Sequence, residues 1–266
     1  MKDILIFSGQ SNMQGETNEL VLRDIPEGAA FEYKWLDDAL VPVIDPVGED
    51  ITYERTQGKR FVEGTNQDVW LSEHIAGSCC YGNTTLIPSF CAKYNELTGH
   101  EVVAVHFAKG STEITDWMPG TPCYEGLRDK TLAAIAKVKE TDEVGHIFLA
   151  WLQGESDAIF SRKKDDYKAK ITEFANKLAE DVGLEKFGII RVGQFVNDER
   201  DDEIINAQEE VCAEEPIFLM LTRITAELLK QPEYLNPFVA GHYGAKGMFV
   251  LGDEGAKTLA EYVMGK

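Results

Sequence analysis

Five short apolar runs, separated by stretches with helical periodicity, are the strongest constraint on the fold of this chain. The runs cover 3–8, 101–107, 145–152, 187–194 and 216–221. They are apolar on both faces, which is typical of strands inside a parallel sheet. The helical stretches lie at about 85–98, 126–140, 161–182, 201–214 and 253–264. This alternation predicts an α/β protein with a parallel sheet, helices on both of its faces and right-handed crossovers.

One long segment interrupts the alternation. Residues 16–82 mix charged, glycine and aromatic residues without sustained periodicity. A loop of that length is unusual in a compact domain and is often functional. No linker and no internal repeat divides the rest of the chain. We therefore predict a single domain over 1–266, with a long insertion at about 16–82 that covers the active site.

The composition limits the kinds of partner and cofactor. The formal net charge is −20, which disfavours binding to nucleic acid and to anionic membranes. No apolar run approaches the length of a membrane span, and the sequence from Met1 enters a strand at once, so we expect a cytoplasmic protein without a signal peptide. The five cysteines fit neither a disulfide framework nor a zinc site, so we expect reduced thiols and no metal or other cofactor.

The first strand leads into a segment that could hold a catalytic serine. It reads FSGQSNMQG over 7–15, with Ser11 between Gly9 and Gly15. A serine on a sharp turn after a strand exposes its hydroxyl, and neighbouring backbone N–H groups can face an oxyanion. The two glycines permit the tight backbone that such a turn needs. A plain turn without catalytic function remains an alternative for this pattern.

A serine nucleophile needs a base, and five histidines are available. His100 and His146 lie at the amino ends of strands, whereas ligands bind beyond the carboxyl ends of a parallel sheet. His106 lies inside a strand, and His74 lies in the irregular segment. His242 lies in a glycine-flanked loop before the last helix, from where it could reach Ser11.

Other polar residues follow the second and third strands. Gly110 and Gln153 each come directly after a strand, and either could stabilise the oxyanion of a tetrahedral intermediate. Glu155 and Asp157 alternate just beyond Gln153. Turn geometry or simple surface exposure would explain each of these residues as well.

Taken together, four blocks resemble those of the SGNH hydrolases, in the branch of sialate O-acetylesterases and family-six acetylxylan esterases. The blocks are GQSNMQG, AKGSTEITDW, WLQGESDA and GHYGAKG, and they occur in the order typical of the family. The resemblance implies a three-layer α/β/α, flavodoxin-like fold with a five-stranded parallel sheet. It also implies serine esterase chemistry that needs no metal.

The resemblance assigns roles to individual residues. Ser11 would be the nucleophile and His242 the base, and the oxyanion donors would be the N–H groups of Ser11 and Gly110 with the side chain of Gln153. Gln10, beside the nucleophile, is grouped with these oxyanion- and substrate-binding residues. Val239 departs from the family, which often has aspartate three residues before the histidine.

The missing aspartate leaves the residue that orients His242 open. Glu155 is the first candidate because it belongs to the third block and has a long side chain. Asp157 and a backbone carbonyl, which would make a Ser–His dyad, are the alternatives. Trp35, Trp70 and Trp117 could stack on a sugar, although core packing is common for tryptophan.

We therefore expect a serine esterase that removes O-acetyl groups from a carbohydrate through an acetyl-serine intermediate. The substrate would be an acetylated xylo-oligosaccharide or similar neutral sugar, with an acetylated sialic acid as a further possibility. One alternative is a carbohydrate-binding protein on the same fold that has lost catalysis, which the substitution at Val239 motivates. The other is a lipase or thioesterase that acts on longer acyl chains.

Overall fold

A single twisted sheet forms the centre of the molecule. The computed structural model describes residues 1–49 and 84–265. Within them, the strands are β1 Lys2–Gly9, β2 Ala30–Lys34, β3 Ala39–Pro42, β4 Glu101–Ala108, β5 Val144–Leu152, β6 Lys186–Ile190 and β7 Phe218–Thr222. Their order in the sheet is β3-β2-β4-β1-β5-β6-β7. Neighbouring strands run parallel except β2 and β3, which pair antiparallel.

The helices cover both faces of the sheet. They are α1 Ser11–Gln14, α2 Ile87–Thr98, α3 Pro122–Lys139, α4 Glu155–Ile159, α5 Lys164–Val182, α6 Glu199–Glu214, α7 Thr225–Leu228 and α8 Ala245–Val263. The chain moves from β1 to β4 through α2, and then steps in the other direction to β5, β6 and β7. Right-handed crossovers therefore place α2 opposite α3, α5 and α6. The last helix, α8, returns to pack on α2.

The predicted α/β fold class is confirmed, and the five predicted strands correspond to β1, β4, β5, β6 and β7. The expected count of five strands was wrong, because the described residues form seven. The two additional strands, β2 and β3, lie in the segment that was predicted to be an insertion. The apolar pattern of β2 is weak because it buries a charged residue, Glu32, which pairs with Lys34 at 2.6 Å, and β3 is apolar but only four residues long.

Part of the predicted insertion therefore belongs to the edge of the sheet. Residues 30–42 extend the sheet beyond β4, where β2 pairs with it in register from Ala30 opposite Val102. Residues 50–83 lie outside the described part of the chain, together with His74 and Trp70. That this segment covers the active site remains a prediction.

The strand register brings the candidate residues to one edge. Gly9, at the end of β1, is aligned with Ala108 of β4 on one side and with Leu152 of β5 on the other. The residues that follow these three strands therefore emerge next to one another, as expected for the carboxyl edge of a parallel sheet.

Two of the tryptophans considered for sugar stacking lie in the core instead. Trp117 is fully buried, and its ring meets that of Trp151 edge to face with centroids 5.2 Å apart. Trp35 is also buried. Neither ring offers a face to a ligand, since aromatic side chains of this size are used here to fill the space between sheet and helices.

Candidate active site

The turn that carries Ser11 is fixed by its backbone geometry. Gly9 has a φ of 146°, and a Cβ there would lie only 2.0 Å from the carbonyl oxygen of Leu152. Only glycine fits, so the chain can leave β1 sharply and begin the short helix α1 at Ser11. Ser11 is the first residue of that helix, so its N–H has no acceptor within the helix and is available to an oxyanion.

Ser11 and His242 form a hydrogen-bonded pair. The Oγ atom of Ser11 lies 2.8 Å from Nε2 of His242, although 231 positions separate the two residues. Nδ1 of His242 lies 3.0 Å from the carbonyl oxygen of Ala240. Because a carbonyl oxygen only accepts hydrogen bonds, Nδ1 carries the proton in this contact and Nε2 is free to accept the serine proton. The predicted nucleophile and base thus have the geometry that proton transfer requires.

Glu155 was the first candidate for the acid that orients His242, but in the structure its carboxylate does not hydrogen-bond to the imidazole. One carboxylate oxygen of Glu155 accepts a hydrogen bond of 2.9 Å from the side-chain amide of Asn12. The carbonyl of Ala240 occupies the position on His242 that an acid would take. The physical reason is the local turn, in which the N–H of His242 donates to Val239 O at 3.3 Å and folds the ring back over its own backbone. The arrangement is a dyad oriented by a carbonyl.

Asn12 connects the serine turn to the histidine loop. Its amide donates to the carbonyl of Gly241 at 3.2 Å, as well as to Glu155, and its oxygen accepts from the N–H of Tyr243 at 3.3 Å. Gly241 and Tyr243 flank His242 on both sides. Asn12 therefore holds the backbone on both sides of His242 from within the turn that carries Ser11, and Glu155 fixes Asn12. Sequence reasoning missed this role, although Asn12 lies in the quoted block.

The side chains of Gln153 and Gln10, both predicted to bind the oxyanion or the substrate, make hydrogen bonds within the protein. The side chain of Gln153 is fully buried, donates to Thr112 O at 2.9 Å and to Asp157, and accepts from the hydroxyl of Tyr167 at 3.0 Å. The side-chain oxygen of Gln10 accepts from the N–H of Ser156 at 3.2 Å. Both the nitrogen and the oxygen of the Gln153 side chain are therefore paired inside the protein, which corrects its predicted assignment as an oxyanion donor. The substrate-binding role of Gln10 stays a prediction.

Gly110 lies beside Ser11, as predicted for an oxyanion donor. A Cβ built on Gly110 would be 3.5 Å from Cβ of Ser11. Its N–H, however, donates to the side-chain oxygen of Gln14 at 2.9 Å. A substrate oxygen that uses this N–H must replace Gln14. The N–H of Ser11 is available directly, and the N–H of Gly110 becomes a second donor beside Ser11 once Gln14 is displaced.

Two further residues contact His242. Oε2 of Glu16 lies 3.3 Å from Nε2, and the side chain of Glu16 is about half exposed at 47%. The ring of Phe195 meets the imidazole edge to face, with centroids 6.1 Å apart. A signal for Glu16 existed in the sequence, since it directly follows the serine block, whereas Phe195 comes from a distant loop after β6.

Burial perturbs both carboxyl groups that follow β5. Burial raises the pKa of Glu155 above its ordinary value, and the hydrogen bond from Asn12 and the charge of His242 only partly offset this effect. The other carboxylate oxygen of Glu155 has no hydrogen-bond partner in the part of the chain that the structure describes. Burial likewise raises the pKa of Asp157 to about 6, against the opposing hydrogen bond from Gln153 and the charge of Arg162.

Among residues 1–49 and 84–265, no group of three or more His, Cys, Asp or Glu side chains could hold a metal ion. No helix in these ranges is both long and apolar enough to cross a membrane. Among the described residues, Cys91 and Cys212 are free thiols.

A serine hydroxyl is hydrogen-bonded to a histidine at the carboxyl edge of a parallel sheet that lies between two helical layers, an arrangement typical of serine hydrolases. The chain belongs to the family of carbohydrate esterases described as sialic acid-specific acetylesterases, whose model matches residues 1–260. No curated protein matches the sequence significantly.

Solved structures with low sequence identity share the fold. NanS has a TM-score of 0.65 at 12% identity and covers 100% of this chain and 98% of its own. A protein from Arabidopsis thaliana has a TM-score of 0.59 at 16% identity, with 96% of each chain covered. A catalytic mutant of Axe2, an acetylxylan esterase from Geobacillus stearothermophilus, has a TM-score of 0.50 at 10% identity and covers 97% of this chain and 94% of its own.

Proposed function

We propose that this protein removes O-acetyl groups from a carbohydrate and that Ser11 is acetylated during each turnover. The observation that carries the proposal is the distance of 2.8 Å between the Ser11 hydroxyl and Nε2 of His242. Membership in a family of carbohydrate acetylesterases gives the acyl group and the substrate class. The contact between Ser11 and His242 supports a serine mechanism.

The reaction follows from the two nitrogen atoms of His242. Nε2 takes the proton of Ser11 as Oγ attacks the carbonyl carbon of the acetyl ester, and the N–H of Ser11 stabilises the oxyanion. The intermediate collapses, the bond to the sugar oxygen breaks, and His242 gives its proton to that oxygen. Water, deprotonated in turn by His242, then attacks the acetyl-serine and releases acetate. Ala240 O holds the proton on Nδ1 throughout.

Two sugars deserve to be compared as substrates. The family description favours an O-acetylated sialic acid. The net charge of −20 repels an anionic sugar at long range, which favours a neutral one such as an acetylated xylo-oligosaccharide. Both are short, soluble acetylated sugars, and we propose this class as the substrate.

The two alternative functions have specific weaknesses. A binding protein without catalysis would not require the hydrogen bond between Ser11 and His242, and the carbonyl of Ala240 replaces the orienting group that Val239 lacks. A lipase or thioesterase would prefer longer acyl chains. An acyl-chain series from acetyl to octanoyl esters separates that possibility, because an acetylesterase loses activity with the first added carbons.

A fluorophosphonate probe tests the nucleophile directly. Intact-mass analysis should show a single adduct that is absent from the Ser11→Ala variant. Acetate release from acetylated xylose and from acetylated sialic acid is then measured with the same two proteins. Labelling that persists in Ser11→Ala contradicts the mechanism, and labelling without acetate release from any sugar contradicts the substrate class.

A further inference from the structure

We propose that a cavity beside His242 binds the sugar portion of the ester, which is the leaving group of the reaction. This inference rests on the proposed function. The cavity has a volume of about 540 Å³ and lies between the loop after β6, the start of α6, the helix α7 and the loop that carries His242. Small-molecule sites commonly have volumes of roughly 300–1,000 Å³, so a mono- or disaccharide fits.

The order of strands places this cavity on the correct side of the nucleophile. Gly110 follows β4 on one side of β1, whereas β5, β6 and β7 lie on the other side. The carbonyl oxygen of the ester must face the backbone donors at Ser11 and Gly110. The leaving oxygen must come within reach of Nε2 of His242, which protonates it. The acyl carbon lies between the carbonyl oxygen and the leaving oxygen. The sugar, which is attached to the leaving oxygen, therefore extends away from β4, toward the side of β6 and β7 where the cavity lies.

The cavity shares its wall with the catalytic base. Ala240 and Gly241, which directly precede His242, line it, and so does Phe195, whose ring contacts the imidazole. A Cβ on Gly241 would be 2.1 Å from the Phe195 ring, so glycine allows the ring to lie against the histidine loop. A ligand in the cavity thus touches residues that hold His242 in position.

The lining suits a sugar ring with its hydroxyl groups. Phe195 and Leu229 provide apolar surface, and Gln194 and Asn197 provide amide groups that donate and accept hydrogen bonds. The cavity also contains Arg191, whose guanidinium donates to Glu209 at 2.9 Å. Polar groups at the edge of an apolar surface are the pattern that orients a polar ligand in a pocket.

The test fills the cavity and compares two acetyl esters that differ only in their leaving group. Ala226 lines the cavity from α7, so Ala226→Trp should reduce its volume. The matched control is Glu227→Trp, which places the same side chain at the next, exposed position of the same helix. The two substrates are methyl acetate and an acetylated monosaccharide, either xylose tetraacetate or 9-O-acetylated sialic acid.

We expect Ala226→Trp to lower the ratio of kcat/KM for the sugar ester to kcat/KM for methyl acetate by about tenfold or more, and the control to leave this ratio within twofold. A reduction in the ratio through KM supports a binding role. Gln194→Ala, at an exposed position, is a second variant that should raise KM for the sugar ester a fewfold without risk to folding.

Two results would overturn the inference in distinguishable ways. If wild-type protein hydrolyses the sugar esters and neither Ala226→Trp nor Gln194→Ala changes the ratio, the sugar binds elsewhere and the proposed function stands. If wild-type protein hydrolyses methyl acetate through Ser11 but no sugar ester, the proposed substrate class fails, and the sugar site fails with it.

Discussion

At the amino end of the sheet, His100 and His146 stack on each other beside Asp3, whereas at the carboxyl end His242 faces Ser11. Nδ1 of His100 lies 2.8 Å from a carboxylate oxygen of Asp3, which is the contact that an acid makes in a catalytic triad. His242 has no such contact, and its Nδ1 lies on the carbonyl of Ala240. The pair that looks more like part of a triad is therefore at the wrong end of the molecule.

The two histidine sites differ in what their partners do. Asp3 is buried and uses its oxygens to accept from the hydroxyl of Tyr94 at 2.7 Å and from the N–H of His146 at 2.9 Å. It ties strands and a helix together. At the other end, the sharp turn after β1 presents a hydroxyl to the histidine, and a backbone group is sufficient to orient the ring. Under the proposed mechanism, the position of the hydroxyl therefore matters more than an orienting acid.

The largest expected effect comes from replacing the two histidines in turn. His242→Gln should lower kcat by about 10³ or more, because loss of the base in a serine triad removes a large part of the catalytic effect. His100→Gln should leave kcat within twofold. The measurement is steady-state acetate release, with a melting curve for each variant.

The two glutamine variants are matched controls for each other, since each removes an imidazole from a contact of 2.8 Å. Comparable losses of kcat in folded His100→Gln and His242→Gln would show that the two ends do not differ in the way described here.

The second effect concerns stability at the amino end. Asp3→Ala leaves Tyr94, His100 and His146 without their buried acceptor, which should lower the free energy of unfolding by about 3 kcal/mol. The value of kcat/KM at a temperature well below the melting point should stay near that of the wild type. Urea unfolding measures the first quantity, and the esterase assay measures the second. A large loss of kcat/KM in folded Asp3→Ala would contradict a purely structural role.

The sequence was sufficient for the five parallel strands and for bringing Ser11 and His242 together, while the catalytic role of the two residues stays a prediction. Apolar runs that are buried on both faces mark β1, β4, β5, β6 and β7, although β1 and β4 each bury a polar residue as well, Asp3 and His106. Ser11 and His242 could be found from their places in the fold. Ser11 directly follows the first strand, β1, and His242 lies in the loop between the last strand, β7, and the last helix, α8. Glycines around both residues supported that prediction, and the 2.8 Å contact agrees with it.

The orienting group and the oxyanion side chains could not be predicted, and the reasons are physical. Every residue has a carbonyl, so nothing in the sequence marks Ala240 as the acceptor for His242. Gln153 follows a strand, as an oxyanion donor should, but the direction of its side chain depends on buried partners that lie far away in the sequence. The strand β2 was not predicted because it is short and carries the charged residues Glu32 and Lys34, which lie on the same face of the strand and pair with each other.

A third prediction concerns the stability contributed by the buried carboxyl of Asp157, at the carboxyl end of the sheet. Its pKa is raised to about 6 from 3.8, so its contribution to stability is fully present below about pH 4 and is lost as the pH rises through 6. At 1.36 kcal/mol per pKa unit, wild type should lose on the order of 2 kcal/mol relative to Asp157→Asn between pH 4 and pH 7. Urea unfolding at these two pH values measures the difference. A constant difference would show that Arg162 fully compensates the buried charge.

The smallest expected effect concerns Glu155 and tests whether it acts on His242 directly or through Asn12. Because Glu155 contacts Asn12 and not Nδ1 of His242, Glu155→Gln should lower kcat by about tenfold or less, far below the roughly 10⁴-fold loss that follows removal of an acid bonded to the histidine. Asn12→Ala should cost at least as much, since Asn12 also holds Gly241 and Tyr243. The double variant should lose no more than Asn12→Ala alone, because residues that act through one contact are not additive. Each variant must first show a wild-type melting curve. A loss of 10³ or more in folded Glu155→Gln would mean that the carboxylate reaches His242 during turnover, and additive losses in the double variant would mean that Glu155 and Asn12 act independently.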